Sequence, residues 1–340
     1  MSNTPYFMTG ALGCIGAWVV KALVERGDVP IVFDRSDDTR RLRLLMDEAS
    51  LGRVRFVRGD VSDARAVHAA LAESRAQHVI HLAGLQVPTC KADPALGALV
   101  NVVGTINVFE AARRLRLPRV VYASSAAVFG LADEAVDETV TPSPLTHYGV
   151  FKQANEGNAR VYFADYGVSS VGLRPYSVYG VGRDAGLTSD PTRAIKSAVV
   201  GRPFRIRFSG VTDFIYTADT AAAFVACADA APEGAHVFNL HGDARNVGDA
   251  VAILEDALGP SSRGLISIDG PAIPMPPSLD DSALRAMVDG LPQTRLEEGV
   301  RETIRRFQQL QAEGRLDTAD IDAEGVAPAG SAAAGPAAAR

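Results

Sequence analysis

Short apolar runs alternate with stretches of helical spacing along most of this chain. Tyr6 to Met8 reads as a strand, a glycine-rich turn follows, Ala17 to Arg26 carries the three-to-four-residue apolar repeat of a helix, and Val29 to Phe33 is a second strand. The alternation continues through strand Val54 to Arg58, helix Ala64 to Ser74, strand His78 to Leu82 and helix Pro94 to Leu115. Strand Arg119 to Ala123, helix Tyr148 to Tyr166 and strand Ser169 to Leu173 complete it. Strands separated by helices predict an α/β fold, a doubly wound parallel sheet with both faces covered.

After Leu173 the pattern loosens and prolines multiply, at Pro175, Pro191, Pro203 and Pro232 and in the cluster Pro271, Pro274, Pro276 and Pro277. This half is expected to form a smaller C-terminal substrate-binding domain. A strand and helix over Thr212 to Ala228 and a strand over Ala235 to Leu240 are expected to rejoin the main sheet, and helix Leu296 to Gln311 closes the fold. The expected division is 1–174 for the nucleotide-binding domain, rejoined by 212–240, then 175–312 for the substrate domain. The Ala-, Gly-, Asp- and Pro-rich stretch 313–340 buries little and is expected to be disordered.

Composition narrows the classes of function. A net charge of -6 argues against a general nucleic-acid binder, because neutralising phosphates needs a basic surface. No uninterrupted apolar run reaches the roughly eighteen residues of a membrane span, and Met1 to Pro5 leads into a strand without the order of a signal segment. A cytoplasmic protein with no membrane partner is the expectation. Cys14, Cys90 and Cys227 are scattered and the six histidines do not cluster, so neither a disulfide framework nor a metal site is indicated.

The turn Thr9-Gly10-Ala11-Leu12-Gly13-Cys14-Ile15-Gly16 lies between a strand and a helix. Glycines there let backbone approach a pyrophosphate, and the helix N-terminus offers free N–H groups. Asp34, eighteen residues after Gly16, ends the second strand, where a carboxylate can accept hydrogen bonds from ribose hydroxyls and repel a 2'-phosphate. NAD is therefore expected over NADP, although Arg35 next door could partner a phosphate.

Tyr148 and Lys152 are spaced i, i+4, so an ammonium can lie beside a phenol on one helix face. A phenol titrates near about 10, and its use as a base at neutral pH requires a fall of roughly three units, about 4 kcal/mol. A neighbouring cation supplies part of that. The serine pair Ser124-Ser125 and the long irregular connection from Leu131 to His147 lie upstream, as at many active-site borders.

These pieces fall in a fixed order with Gly59-Asp60-Val61-Ser62-Asp63, His81-Leu82-Ala83-Gly84, Asn101-Val102-Val103-Gly104-Thr105, Leu173-Arg174-Pro175 and Val178-Tyr179-Gly180. Together they resemble the extended short-chain dehydrogenase/reductase family, the NAD-dependent epimerase/dehydratase group. The resemblance implies a Rossmann fold with bound NAD and a homodimer joined by helices starting near Pro94 and Tyr148. It places Asp60 and Val61 by the adenine, lines the cleft with the Leu82, Ala83 and Gly84 backbone, and sets Lys152 on the nicotinamide ribose. It makes Tyr148 the general base or acid, and Ser125 the residue that orients the substrate oxygen. Asn101, Tyr176 and Val178 complete the expected cofactor set, and Gln86, Ser125, Ala126, Ser177 and Arg183 form the expected substrate set. Blander roles stay open: Asp60 and Asp63 as a helix-capping pair, His81 as a core histidine.

The chain departs from the family pattern at several positions. Phe151 stands where the family usually has serine. Ser177 and Thr212 stand where members acting on nucleotide sugars usually have Asn and Arg, which help hold the substrate's diphosphate. Arg183, Arg193, Lys196, Arg202, Arg205 and Arg207 could compensate, or simply form a cationic surface helix. Ala126 and Ala127 occupy the positions of a dehydratase's Asp-Glu pair. The leading expectation is an NAD-dependent dehydrogenase acting on a small sugar, sugar acid or hydroxy acid. A nucleotide-sugar 4-epimerase and a non-catalytic NAD-sensing protein are the alternatives.

Overall fold

The computed structural model describes residues 3–230 and 232–322. Its strands are β1 (Pro5–Thr9), β2 (Val29–Asp34), β3 (Arg55–Arg58), β4 (His78–His81), β5 (Arg119–Ala123), β6 (Ser169–Arg174), β7 (Ser177–Tyr179), β8 (Phe204–Ile206), β9 (Val211–Tyr216), β10 (Ala235–Asn239), β11 (Asp243–Asn246) and β12 (Ile266–Ile268). Seven form one sheet in the order β10-β6-β5-β4-β1-β2-β3, and every pairing in it is parallel. Central strands such as Ser169–Arg174 are buried along their length, because helices cover both faces. The outermost strand, Arg55–Arg58, carries exposed arginines, which discourage further edge pairing. The winding reverses between β1 and β4, and such a switch point opens a crevice beyond the strands' carboxyl ends.

Of the two segments expected to rejoin this sheet, one does. Ala235–Asn239 pairs with β6, while Val211–Tyr216 pairs with β7 and β11 in a separate three-stranded sheet. That sheet, the pair β8 and β12, and helices Asp190–Val199, Val247–Leu258 and Leu296–Ala312 build the smaller part. The tail begins later than expected. Ala319–Asp322 is a short helix with Ile321 buried, and Lys196 Nζ holds Asp320 at 2.7 Å. The remainder of the expected tail, 323–340, lies outside the described residues.

The expected helix Pro94 to Leu115 is composite: Pro94–Ala98, a π-helical turn at Leu99–Val103, then Gly104–Arg114. By length and composition it could cross a membrane, yet just over half of its most apolar window is buried inside the fold, as in a core helix. The helix bearing Tyr148 runs His147–Tyr166 and is capped by Thr146, whose hydroxyl accepts from the Gly149 N–H at 3.1 Å.

The cationic stretch is not a surface helix. Asp190–Val199 is buried almost throughout, with Arg193 and Lys196 at 5% and 7% exposure. Arg207 is bound by Asp190 at 2.7 Å, Arg205 by Asp269 at 3.1 Å, and Arg202 by Asp322. Arg193, Lys196 and Arg207 are thus tied to acids inside the smaller domain, Arg202 and Arg205 pair at its surface, and of the six only Arg183 lines the cleft described next.

Candidate active site

A cleft of about 780 Å³ opens at the switch point. Its floor is the turn after β1, whose glycines are required by contact. A Cβ on Gly10, which has φ +67°, would stand 2.4 Å from the Ala83 nitrogen, and one on Gly16 would stand 2.5 Å from the Ala11 Cα. Both turns therefore approach as bare backbone. Gly13 begins helix Cys14–Arg26 with no side-chain cap, leaving its first N–H groups free to face an anion.

Asp34 closes one side of this end, with Oδ1 accepting from the Ser36 N–H at 3.1 Å and Oδ2 from the Leu12 N–H at 3.3 Å. Of the supposed capping pair, Asp63 is the cap of helix Ala64–Ser74. Asp60 instead lines the cleft and accepts from both the N–H and the hydroxyl of Ser62, which hold its carboxyl below the usual range. His81 is a core histidine, pushed down to about 3 by burial and hence neutral. It lies between Thr9 and Thr105 at 2.6 and 2.9 Å, and Thr105 donates to the Asn101 carbonyl at 2.7 Å. Nε2 therefore carries the proton.

Gly10, Gly13, Cys14, Ile15, Gly16, Asp34, Asp60, Val61, Leu82, Ala83, Gly84, Gln86, Ser125, Tyr148, Lys152, Tyr176, Ser177, Val178 and Arg183 all line the cleft, as expected from the sequence. Two expected residues do not. Asn101, in the π-helical turn, is buried and clasps the Leu85 backbone, accepting its N–H at 2.6 Å and donating to its carbonyl at 3.0 Å. Ala126 is fully buried because the short turn Ala126–Val128 points it inward, and Ala127 faces the cleft in its place. The sequence reading missed Ile273, Pro274 and Met275, which come from the proline cluster more than a hundred residues downstream.

At the reacting end the cleft brings Ser125 and Tyr148 together, and Lys152 Nζ lies 5.5 Å from the centre of the Tyr148 ring. Burial pushes the Tyr148 phenol above its ordinary value, while the nearby Ser125 hydroxyl and the Arg183 charge pull it down. Lys152 was expected to lie beside the phenol, and it does. Its ammonium also donates to the Ala123 carbonyl at 2.7 Å, and burial pushes it down to about 8.

Behind this centre lies a buried charge network with no counterpart in the expected site. Glu156, one turn beyond Lys152, accepts from Ser124 at 2.6 Å and from Arg174 Nε and Nη2 at 2.8 and 2.7 Å. Ser124 thereby links the strand that ends at Ser125 to the helix that carries Tyr148. The i+4 spacing from Lys152 to Glu156 was its one signal in the sequence.

Residues 6–241 match the model of the NAD dependent epimerase/dehydratase family. The chain belongs to that family. It is accordingly an enzyme of the NAD-dependent short-chain dehydrogenase/reductase class. A UDP-glucose 4-epimerase of Mycolicibacterium smegmatis is 29% identical over 318 residues, covering 88% of this chain and 97% of the relative. The UDP-glucose 4-epimerase of Thermus thermophilus, solved with NAD, has a TM-score of 0.78 at 26% identity, covering 90% of this chain and 99% of that one. MoeE5, solved with UDP-glucuronic acid and NAD, has a TM-score of 0.76 at 28% identity, with coverage of 90% and 99%. The uncapped helix, the glycine cradle that a Cβ would fill and the carboxylate at Asp34 fit the family's cofactor.

Proposed function

We propose that this family member is a dehydrogenase that oxidises a secondary alcohol of a small sugar, sugar acid or hydroxy acid, releasing NADH. One observation carries the choice of a small substrate. Ser177 and Thr212, at the positions that hold a diphosphate in nucleotide-sugar enzymes, are fully buried and bonded to each other at 2.7 Å. Their hydroxyls satisfy one another, and neither residue is the cation or amide that the nucleotide-sugar enzymes place there.

In this reading Gly10, Gly13, Asp34 and Lys152 hold NAD, which supplies the carbon that accepts hydride. Ser125 holds the substrate hydroxyl by a hydrogen bond. Tyr148, as phenolate, takes the hydroxyl proton while hydride leaves the same carbon. The nearby Ser125 hydroxyl and the Arg183 charge both favour that phenolate. Asn101 and Glu156 act through backbone and neighbours, positioning Leu85 and Ser125.

A screen of sugars, sugar acids, hydroxy acids and UDP-sugars tests this, followed by NADH absorbance and by the configuration of the product. Steady NADH formation with a non-nucleotide alcohol is expected. The second reading, a nucleotide-sugar 4-epimerase, is favoured by the 4-epimerase relatives. Inverted UDP-sugar without net NADH would establish it.

We also infer a homodimer. Leu96, Leu99 and Val103 on the composite helix, and Val150, Val161 and Tyr166 on helix His147–Tyr166, are all at least 36% exposed. Packing these two helices against a second copy would cover them. A monomer in sedimentation equilibrium would contradict this.

A further inference from the structure

Charge is divided unevenly along the cleft. The carboxylates that line it, Asp34 at the end of β2, Asp38 and Asp60, all lie at the glycine-rich end, where Arg35 and Arg41 line it too. The other end is formed by Gln86, Val87, Pro88 and Lys91, by Tyr148, by Arg183 and Gly186 to Thr188, and by Ile273 to Met275. Among the described residues no carboxylate lines it, and apart from Lys152 its charged side chains are Arg183 and Lys91.

Arg183 is placed for a ligand. Its Nη2 donates to Thr188 at 2.8 Å, while its Nε is buried without a hydrogen-bond partner among the described residues. The adjacent carboxylate, Asp184, is taken by Arg41, whose Nη2 and Nε reach it at 2.7 and 3.0 Å. A buried guanidinium nitrogen left unbonded is costly, and an anion entering the cleft would satisfy it. Arg183 lies beside Gly186, which also faces Gln86, and its charge reaches both the Tyr148 phenol and Cys14 of the glycine-rich turn.

Beside Gln86, Thr146 and Thr188, this end is lined by the apolar side chains Phe129, Leu145, Leu187, Ile273, Pro274 and Met275. The strap carrying the last three is anchored on both flanks. Tyr176 donates to the Pro276 carbonyl at 2.8 Å, the Leu279 N–H donates to Asp213 at 3.1 Å, and Ser209 bonds the Gly270 carbonyl at 2.8 Å. The strap itself presents only apolar side chains, which suits a carbon chain.

We propose that the substrate is a hydroxy monocarboxylate with an apolar carbon chain, its carboxylate received by Arg183 and its chain covered by the Ile273-Pro274-Met275 strap. This rests on the small-alcohol reading and selects one class within it.

Binding tests it independently of turnover. NAD-loaded wild-type protein and the Arg183→Ala and Arg183→Lys variants are titrated with hexanoate, hexanamide and UDP by ligand-observed NMR, with NAD affinity measured in parallel. Hexanoate should bind wild type about tenfold or more tighter than hexanamide. That preference should vanish in Arg183→Ala and return in part in Arg183→Lys, with NAD affinity and thermal midpoint unchanged. Equal binding of acid and amide, a preference that survives Arg183→Ala, or no saturable binding of either would overturn the proposal. So would UDP binding more tightly than hexanoate, or a loss confined to NAD affinity, which would assign Arg183 to the cofactor. Failure of the small-alcohol reading would show separately, as absence of NADH from every non-nucleotide alcohol in the turnover screen.

Discussion

Tyr148→Phe is expected to lower the rate of alcohol-dependent NAD reduction by about three orders of magnitude, some 4 kcal/mol of barrier, with NAD affinity and thermal midpoint near wild type. The substitution removes only the oxygen that takes the substrate proton. The ring remains, with Gly149 beside it packed against the Ala127 carbonyl and Pro144. The wild-type pH profile supplies a second signature. Burial raises the Tyr148 phenol, so the free enzyme holds it protonated at neutral pH, and the active phenolate accumulates as pH rises. The log of kcat/KM for oxidation should therefore climb through neutral pH, and that limb should be absent from the residual activity of the variant. Steady-state kinetics on purified protein from pH 6 to 10 checks both. A variant retaining half of wild-type turnover would remove Tyr148 from the chemistry.

Glu156→Ala is expected to cost about 3 to 5 kcal/mol of stability, because it strips the counter-charge from a buried cation. Glu156 and Arg174 are 2% and 4% exposed in their side chains, and no other acid is paired with Arg174 among the described residues. The same change leaves the Ser124 hydroxyl without its acceptor. Arg174 would keep only its face on the Phe129 ring, 4.8 Å away, which does not replace a bidentate carboxylate. Glu156→Gln preserves the shape and an acceptor for Ser124, and should lose less. Denaturant unfolding of the three proteins gives the comparison. A cost below 1 kcal/mol for the alanine variant would mean that the network is not a structural support.

What could be read from the sequence was local or ordered along the chain. The alternation from Tyr6 to Leu173 placed the six strands of the nucleotide-binding half, and the glycine turn with Asp34 placed the cofactor end. What escaped depends on long-range pairing. Val211–Tyr216 has the apolar alternation of a strand, and nothing local says that it pairs with Ser177–Tyr179 rather than with the main sheet. Ala126 and Ala127 are chemically identical, and only a turn decides which of them meets the cleft. Arg193 and Lys196 of Asp190–Val199 looked solvent-facing, yet they are buried against Asp190 and, from more than a hundred residues downstream, Asp320. The Tyr148 environment was legible in part for the same reason: the i+4 lysine does lie over the ring, 5.5 Å from its centre, while the charge of Arg183 comes from 35 residues away in sequence.

The destination of one hydrogen tests the dehydrogenase account most directly. A secondary alcohol found active in the screen, labelled with deuterium at its carbinol carbon, is incubated with the protein and NAD. The account predicts free NADH carrying one deuterium per ketone formed, and loss of this transfer in Tyr148→Phe. Deuterium returned to the same carbon of a UDP-sugar in inverted configuration, with no NADH released, would contradict it.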